Sequence, residues 1–203
     1  MMRRIQITLG ICFILSFLLQ CYYVNNELDS ILNSIEQYSD FVENSIKLEY
    51  YVDEYVNNSA QTVIGARYNI TYSTSSCIEF NDSNICGTCN IYNLNNKYKV
   101  VIELVNKSKD NKLNDLKKEI TKLQVNNSYN DRYYSYQKEK INNEKEIKKV
   151  LDKKISNKET LKIHNGYVGK GQLIDGEKVN YAIVNYKTGG YIIIGTPMIF
   201  TTY

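Results

Sequence analysis

Cys77, Cys86 and Cys89 are the side chains whose spacing comes closest to a reactive arrangement. Cys86-Gly87-Thr88-Cys89 has the spacing of thiol-disulfide exchange sites, in which a nearby positive field stabilises the attacking thiolate. Such sites open a helix after a strand, whereas the Gly- and Asn-rich stretch around this motif reads as a connection between strands. The same cysteines suit one structural disulfide across that connection. It would join Cys77 to Cys86, Cys77 to Cys89, or Cys86 to Cys89, and leave one thiol over. Zinc would need a fourth ligand from His164 or a carboxylate, and no second pair at ligand spacing exists, so no metal is expected.

His164 is the sole histidine, so acid-base chemistry at neutral pH would run through it or through a perturbed carboxylate. It directly precedes Asn165-Gly166, a turn signal, and an exposed loop position is expected. Gly166, Gly169 and Gly171 match no phosphate-loop spacing and open no helix; they read as hairpin and bulge positions. No catalytic or cofactor-binding residue emerges. The sequence predicts a non-enzymatic domain, with a membrane-tethered thiol-disulfide oxidoreductase using Cys86 and Cys89 as the alternative.

The elements that would position these residues begin with a targeting segment. Arg3 and Arg4 precede an apolar run, and no acidic residue occurs before Glu27. The positions from Ile5 to Val24 would cross about 30 Å as a helix, one hydrocarbon core. Residues 1–24 therefore read as a signal peptide or membrane anchor, with Arg3 and Arg4 keeping the amino-terminus inside and residues 25–203 forming one domain outside. No small-residue cleavage site follows, which favours an uncleaved anchor on the outer face over secretion. Leu18, Leu19, Gln20 and Cys21 have the outline of a lipoprotein box, making Cys21 a candidate for lipidation, although Gln20 stands where a small residue is usual.

Charge excludes one partner class. The chain has 25 basic and 22 acidic residues, and without Arg3 and Arg4 the body is near neutral, so it has no global field to hold nucleic acid. Locally the balance shifts: 15 Lys or Arg stand against 8 acidic residues from Lys107 to Lys158, while Asn25 to Asn58 has 8 acidic residues and only Lys47. The basic stretch reads first as a solvated helix face; as alternatives, the two stretches face each other, or the basic one lies against an anionic envelope polymer or lipid headgroups. The 19 Tyr run through the whole chain, read as compositional bias, and are given no functional weight.

Leu28, Ile31, Leu32, Ile35, Tyr38 and Val42 follow the 3.6 period and predict a helix over about 27–43. Ile46, Leu48, Tyr50 and Val52 alternate with polar residues and predict a strand. Further strands are expected at 66–72, 91–94 and 98–105, the last two joined by Asn95-Asn96. A second helix carries Leu113, Leu116, Ile120 and Leu123. The polar stretch 125–140 holds one strand around Tyr133 to Tyr136, and a third helix covers 143–155, acidic first and basic last. Asn165-Gly166, Asp175-Gly176 and Gly189-Gly190 then punctuate an antiparallel sheet. Two helix-plus-strand halves result, about 25–108 and 109–203. A shift of 85 positions pairs Ile35 with Ile120, Tyr51 with Tyr136, Glu54 with Glu139, Asn57 with Asn142 and Asn58 with Asn143.

The segment from Gly189 through Tyr191, Ile192, Ile193, Ile194, Gly195, Thr196 and Pro197 to Phe200 resembles the carboxy-terminal signature of the YwmB-like family of Firmicute envelope proteins. The resemblance implies an α+β fold like that of the TATA-box-binding protein, two halves building one curved antiparallel sheet. It also implies a cell-envelope role, with a link to sporulation, and carries over no catalytic residue. The partner expected is another envelope component, a protein or an anionic polymer. DNA is not expected, since only Phe80 and Phe200 lie near the proposed strands as wedges.

Overall fold

A computed structural model of the chain describes residues 26–201. The targeting segment, with Arg3, Arg4 and Cys21, lies outside the described residues. Within them, no helix is long and apolar enough to cross a membrane.

The first half runs α1 (Asn26–Ile35), a 3-10 turn (Glu36–Tyr38), β1 (Ser39–Val52), α2 (Asn57–Gly65), β2 (Asn69–Ser73), β3 (Cys77–Asn81), β4 (Ile85–Asn93) and β5 (Tyr98–Asn106). The second runs α3 (Leu113–Thr121), β6 (Tyr129–Ile141), α4 (Glu144–Lys154), β7 (Ser156–Ile163), β8 (Gly166–Gln172), β9 (Lys178–Tyr186) and β10 (Gly189–Thr196). The protein is thus α+β, and its strands make one ten-stranded antiparallel sheet in the order β2-β3-β4-β5-β1-β6-β10-β9-β8-β7. Each half contributes helix, strand, helix and four strands, and the order is mirrored about the β1–β6 pair.

The repeat offset is not uniform. Leu28, Ile31 and Ile35 of α1 correspond to Leu113, Leu116 and Ile120 of α3, 85 positions on, as expected for Ile35 and Ile120. Ala60 and Ile64 of α2 correspond to Ile147 and Leu151 of α4, 87 positions on. Asn57 and Asn58 therefore match Glu144 and Lys145 rather than Asn142 and Asn143. By these core positions the spacing between first and second helices is thus two residues longer in the later half than in the earlier one.

The four helices among the described residues send apolar side chains into one core with Ile46, Leu48 and Tyr50 of β1, Ile102 of β5 and Ile192 of β10. Each such side chain fully removed from water contributes about 1.5–3 kcal/mol. Asn143 caps α4 by accepting from the Glu146 amide, and the helix closes on Lys153 and Lys154, the charge order that its dipole favours. β10 lies inside the sheet between β6 and β9, which suits its unbroken apolar run.

Several elements differ from expectation. The first helix stops at Ile35 rather than near residue 43, because Ser39 to Ser45 find partners along β6 from Ile141 to Tyr136. Tyr38 and Val42 extended the helical phase by coincidence, and long-range pairing overrides it. β6 is likewise longer than Tyr133 to Tyr136, since strands on both sides satisfy its backbone. Asn57–Gly65 is a helix that its polar first turn conceals.

The long β1–β6 seam has a polar inner layer. Glu139 is 1% exposed, and its carboxylate accepts from Ser39 Oγ and Gln137 Nε2. Beside it, Asn106 Nδ2 donates to Asn44 Oδ1 at 2.8 Å, and Asn44 Nδ2 donates to the Asn111 carbonyl at 2.8 Å, which ties down the link between the halves.

Burial raises the Glu139 carboxyl above its usual range; the Ser39 and Gln137 bonds oppose this, Glu36 adds to it and Lys109 opposes it. A folded pKa above the unfolded value favours the protonated native state, so this group costs stability as pH rises from the unfolded carboxylate range through the folded value. Glu139→Gln is expected to become the more stable protein, relative to wild type, as pH goes from about 4 to about 8 in thermal unfolding. A wild type that gains on the variant over that range would contradict the raised carboxyl.

Candidate functional site

Pleating divides β1 into a core row, Ile46, Leu48, Tyr50 and Val52, and an opposite row, Ser45, Lys47, Glu49 and Tyr51. The second row lies on the face away from the helices. Register adds Arg132, Tyr134, Tyr136, Lys138 and Lys140 of β6 to that face, with Lys99, Val101 and Glu103 of β5. The outcome is a broad open surface of tyrosines interleaved with charges.

Lys47 sits at its centre. Its Nζ is 3.4 Å from Glu49 Oε1, 4.4 Å from the centroid of Tyr134 and 4.9 Å from that of Phe200. Lys99 Nζ reaches the other Glu49 oxygen at 2.9 Å. Partial burial would raise the Glu49 carboxyl, but the hydrogen bonds and charges of Lys99 and Lys47 outweigh it and hold the group below its ordinary value. Glu103 goes the other way: burial raises it, Glu43 adds to that, and Lys47 only partly offsets them. Towards one end Tyr51 stacks on Tyr129 at 6.1 Å under Lys97, and towards the other Lys138 lies 5.7 and 5.4 Å from the rings of Tyr186 and Tyr191.

The carboxy-terminal half covers part of this face with its own chain. After β10 the backbone turns, Asn180 Nδ2 donates to the Pro197 carbonyl at 2.7 Å, and Ile199 and Phe200 pack onto Tyr136, Ala182, Val184 and Ile193. The Phe200 ring meets Tyr136 edge-on at 5.0 Å. Gly195 makes this close approach feasible, because a Cβ there would lie 2.6 Å from the Ser135 carbonyl and 3.3 Å from Ile199 Cγ1. The Gly-Thr-Pro-Met-Ile-Phe sequence thus acts as a strap over the sheet.

The cysteines occupy the first half of the sheet. All three are free thiols. Cys86 and Cys89 lie within strand β4, not in a connection, and β3 and β5 pair with it on both sides. Gly87 serves packing, since a Cβ there would lie 2.2 Å from Phe80 Cε2. Three steps along a strand span about 10 Å and end on opposite faces, beyond the Cα separation of a disulfide. Cys86 is exposed on the helix-free face, in a groove with Glu79, Thr88 and Glu103; Cys89 is 0% exposed in the core. Burial pushes the Cys89 thiol up to about 12, and burial with the charge of Glu79 raises Cys77. At Cys77 and Cys89 the surroundings therefore disfavour a thiolate.

His164 stands exposed in the β7–β8 turn, and Gly166, Gly169 and Gly171 lie along β8, with Gly169 under the Tyr181 ring. Among the described residues no cluster of His, Cys, Asp or Glu could hold a metal ion. The acidic and basic stretches do face each other: Asp40 pairs with Lys140 and Glu43 with Lys138 in the sheet, and Lys109 Nζ lies 3.7 Å from Glu36. The tyrosine surface is hard to see in the sequence, because tyrosine is spread through the whole chain. Its available signal was the alternation of Arg132, Tyr134, Tyr136, Lys138 and Lys140.

Comparison with protein-family models and with curated proteins finds no match for the chain.

In the folded protein a thiol-reactive dye, followed peptide by peptide by mass spectrometry, is expected to label Cys86 readily. Cys89 should react at least about a hundredfold more slowly, because it requires opening of the sheet interior. Equal labelling of the two, or their oxidation to a mutual disulfide without unfolding, would show that β4 does not hold them apart.

Proposed function

We propose that the chain is a non-enzymatic, membrane-tethered domain on the extracytoplasmic side, which presents the helix-free face of its sheet to another protein of the cell envelope. The observation that carries this reading is that face: ten strands wide, without helices, and rich in tyrosines whose rings offer apolar area with a polar tip. The targeting segment with Arg3 and Arg4 supports the compartment. The Gly189–Phe200 resemblance supports the YwmB-like family, and the mirrored halves are in keeping with the two-halved antiparallel sheet it implies.

Charge on the face favours a protein over a polyanion. Lys47, Lys99, Arg132, Lys138 and Lys140 share it with Glu43, Glu49, Glu79 and Glu103, so no basic stripe tracks a phosphate backbone. The two phenylalanines expected as DNA wedges are unavailable: Phe80 is 2% exposed in the core, and Phe200 is packed against Tyr136, while Phe41, which β1 also carries, stands opposite Glu139 on the helix side. The thiol oxidoreductase reading gains no support from a cysteine pair divided between two faces of a strand.

Photo-reactive residues placed at Lys99 and Tyr186 on the sheet face, and at Lys118 on α3, test this in intact cells. Adducts to the same envelope protein from Lys99 and Tyr186, absent from Lys118, are expected. Adducts from Lys118 alone would overturn the assignment of the face.

A further inference from the structure

The apolar run proposed as the anchor ends at Val24, so Asn25 alone separates it from α1. One residue reaches at most about 3.6 Å. The place where α1 begins therefore decides which side of the domain the bilayer meets.

α1 begins at the middle of the helix side. Asn114 Nδ2, near the start of α3, donates to Asp29 Oδ2 at 2.8 Å, so the first turns of α1 and α3 lie side by side. Leu28 and Asp29 border a small cavity together with Ile46, Ser135 and Thr196, which belong to β1, β6 and β10. These three strands are neighbours at the centre of the ten-stranded sheet. The tyrosine face lies beyond both the sheet and a helix layer about 10 Å thick, and one residue does not reach around them.

The helix side also carries surplus cations. Every carboxylate of α3 and α4 already lies against a lysine, as Asp115 does against Lys118 and Glu144 against Lys148. Lys112, Lys117, Lys145, Lys153 and Lys154 take part in no ion pair among the described residues. Three of them surround the start of α1. Lys154 Nζ donates to Ser30 Oγ at 2.8 Å, Lys117 borders the cavity of Leu28 and Asp29, and Lys112 borders a second one with Asp29 and Leu32. Lys153 stands exposed beside Lys154. Of the acidic groups at this place, Asp29 is held by Asn114 and Glu177 by Thr196, both half-buried, which leaves Glu27.

We propose that the helix side of the domain lies on the anionic phospholipid headgroups of the membrane that holds its anchor, with Lys112, Lys117, Lys153 and Lys154 against the phosphates. An attachment one residue long keeps the lipid surface at this side at high effective concentration, and each lysine near an anionic leaflet adds to the attraction. The inference rests on the anchor of the proposed function and extends it, since the tyrosine face is then directed away from the membrane, open to a partner.

The test uses the full-length chain in nanodiscs of phosphatidylcholine, with or without phosphatidylglycerol, and a lipid whose headgroup carries a gadolinium chelate that broadens nearby amide resonances. Broadening is expected at Lys118 of α3 and Lys149 of α4 and not at Lys99 and Tyr186 of the sheet face. It should rise at least about twofold with phosphatidylglycerol. The rise should vanish in about 1 M salt, where the Debye length is about 3 Å. The variant Lys112→Gln, Lys117→Gln, Lys153→Gln, Lys154→Gln should lose the same rise while the sheet-face resonances stay in place; if it does not fold, the salt series on the unmodified chain decides. A chain that leaves the discs overturns the anchor and this inference with it. A chain that stays, with Lys99 and Tyr186 broadened as much as Lys118 and Lys149, or with no response to phosphatidylglycerol, overturns the docking alone. Shifts at the four lysines on adding soluble polyphosphate, without that response, would assign the charges to a polymer instead.

Discussion

The pairing of β1 with β6 is the constraint on which the remaining structure depends. From Ser39 opposite Ile141 to Tyr51 opposite Tyr129, two of the longest strands join antiparallel across the chain's internal repeat. Without this seam each half would have a five-stranded sheet with a bare edge, and the helices of each half would cover only their own strands. With it, residues from both halves enter one core, and the helices share one side of the sheet. The seam also decides charge: acidic β1 lies beside basic β6, so two regional imbalances become cross-strand pairs.

A sheet whose helices all lie on one side has a second side to account for. In the later half the chain does so itself, with Ile199 and Phe200 strapped over Tyr136, Ala182, Val184 and Ile193. In the earlier half and across the seam the side remains open, and its order comes from ion pairs and ring contacts centred on Lys47. Such contacts are individually weak at a surface, of the order of 1 kcal/mol or less. They hold side chains in place while leaving them able to exchange partners, which suits a binding face better than a catalytic one.

How much of this was legible depended on whether a residue's environment is local. The apolar periods of α1, α3 and α4 announced themselves, and the glycine punctuation announced the β7–β10 hairpins. Ser39 to Ser45 did not: its strand state depends on a partner nearly a hundred residues away, and Tyr38 and Val42 prolonged the helical period. α2 was hidden because only Asn57, Ala60 and Ile64 of its nine residues are buried. For the candidate site, the spacing of Cys86 and Cys89 was visible but its meaning was not. Three residues mean adjacency at a helix start and opposite faces in a strand, so the chemistry followed from an element that Gly87 and Asn90 disguised. The tyrosine face required the register of several strands at once.

The central claim is that the seam makes the two halves one cooperative sheet with a single open face. Native-state hydrogen exchange measured residue by residue tests it most directly. The account predicts that amides of β1 and β6 are among the slowest, and that under rising denaturant the inner strands of both halves, β5 and β10 included, converge on one common opening free energy. Separate opening of residues 26–106 and 113–201, with β1 and β6 exchanging early, would contradict it.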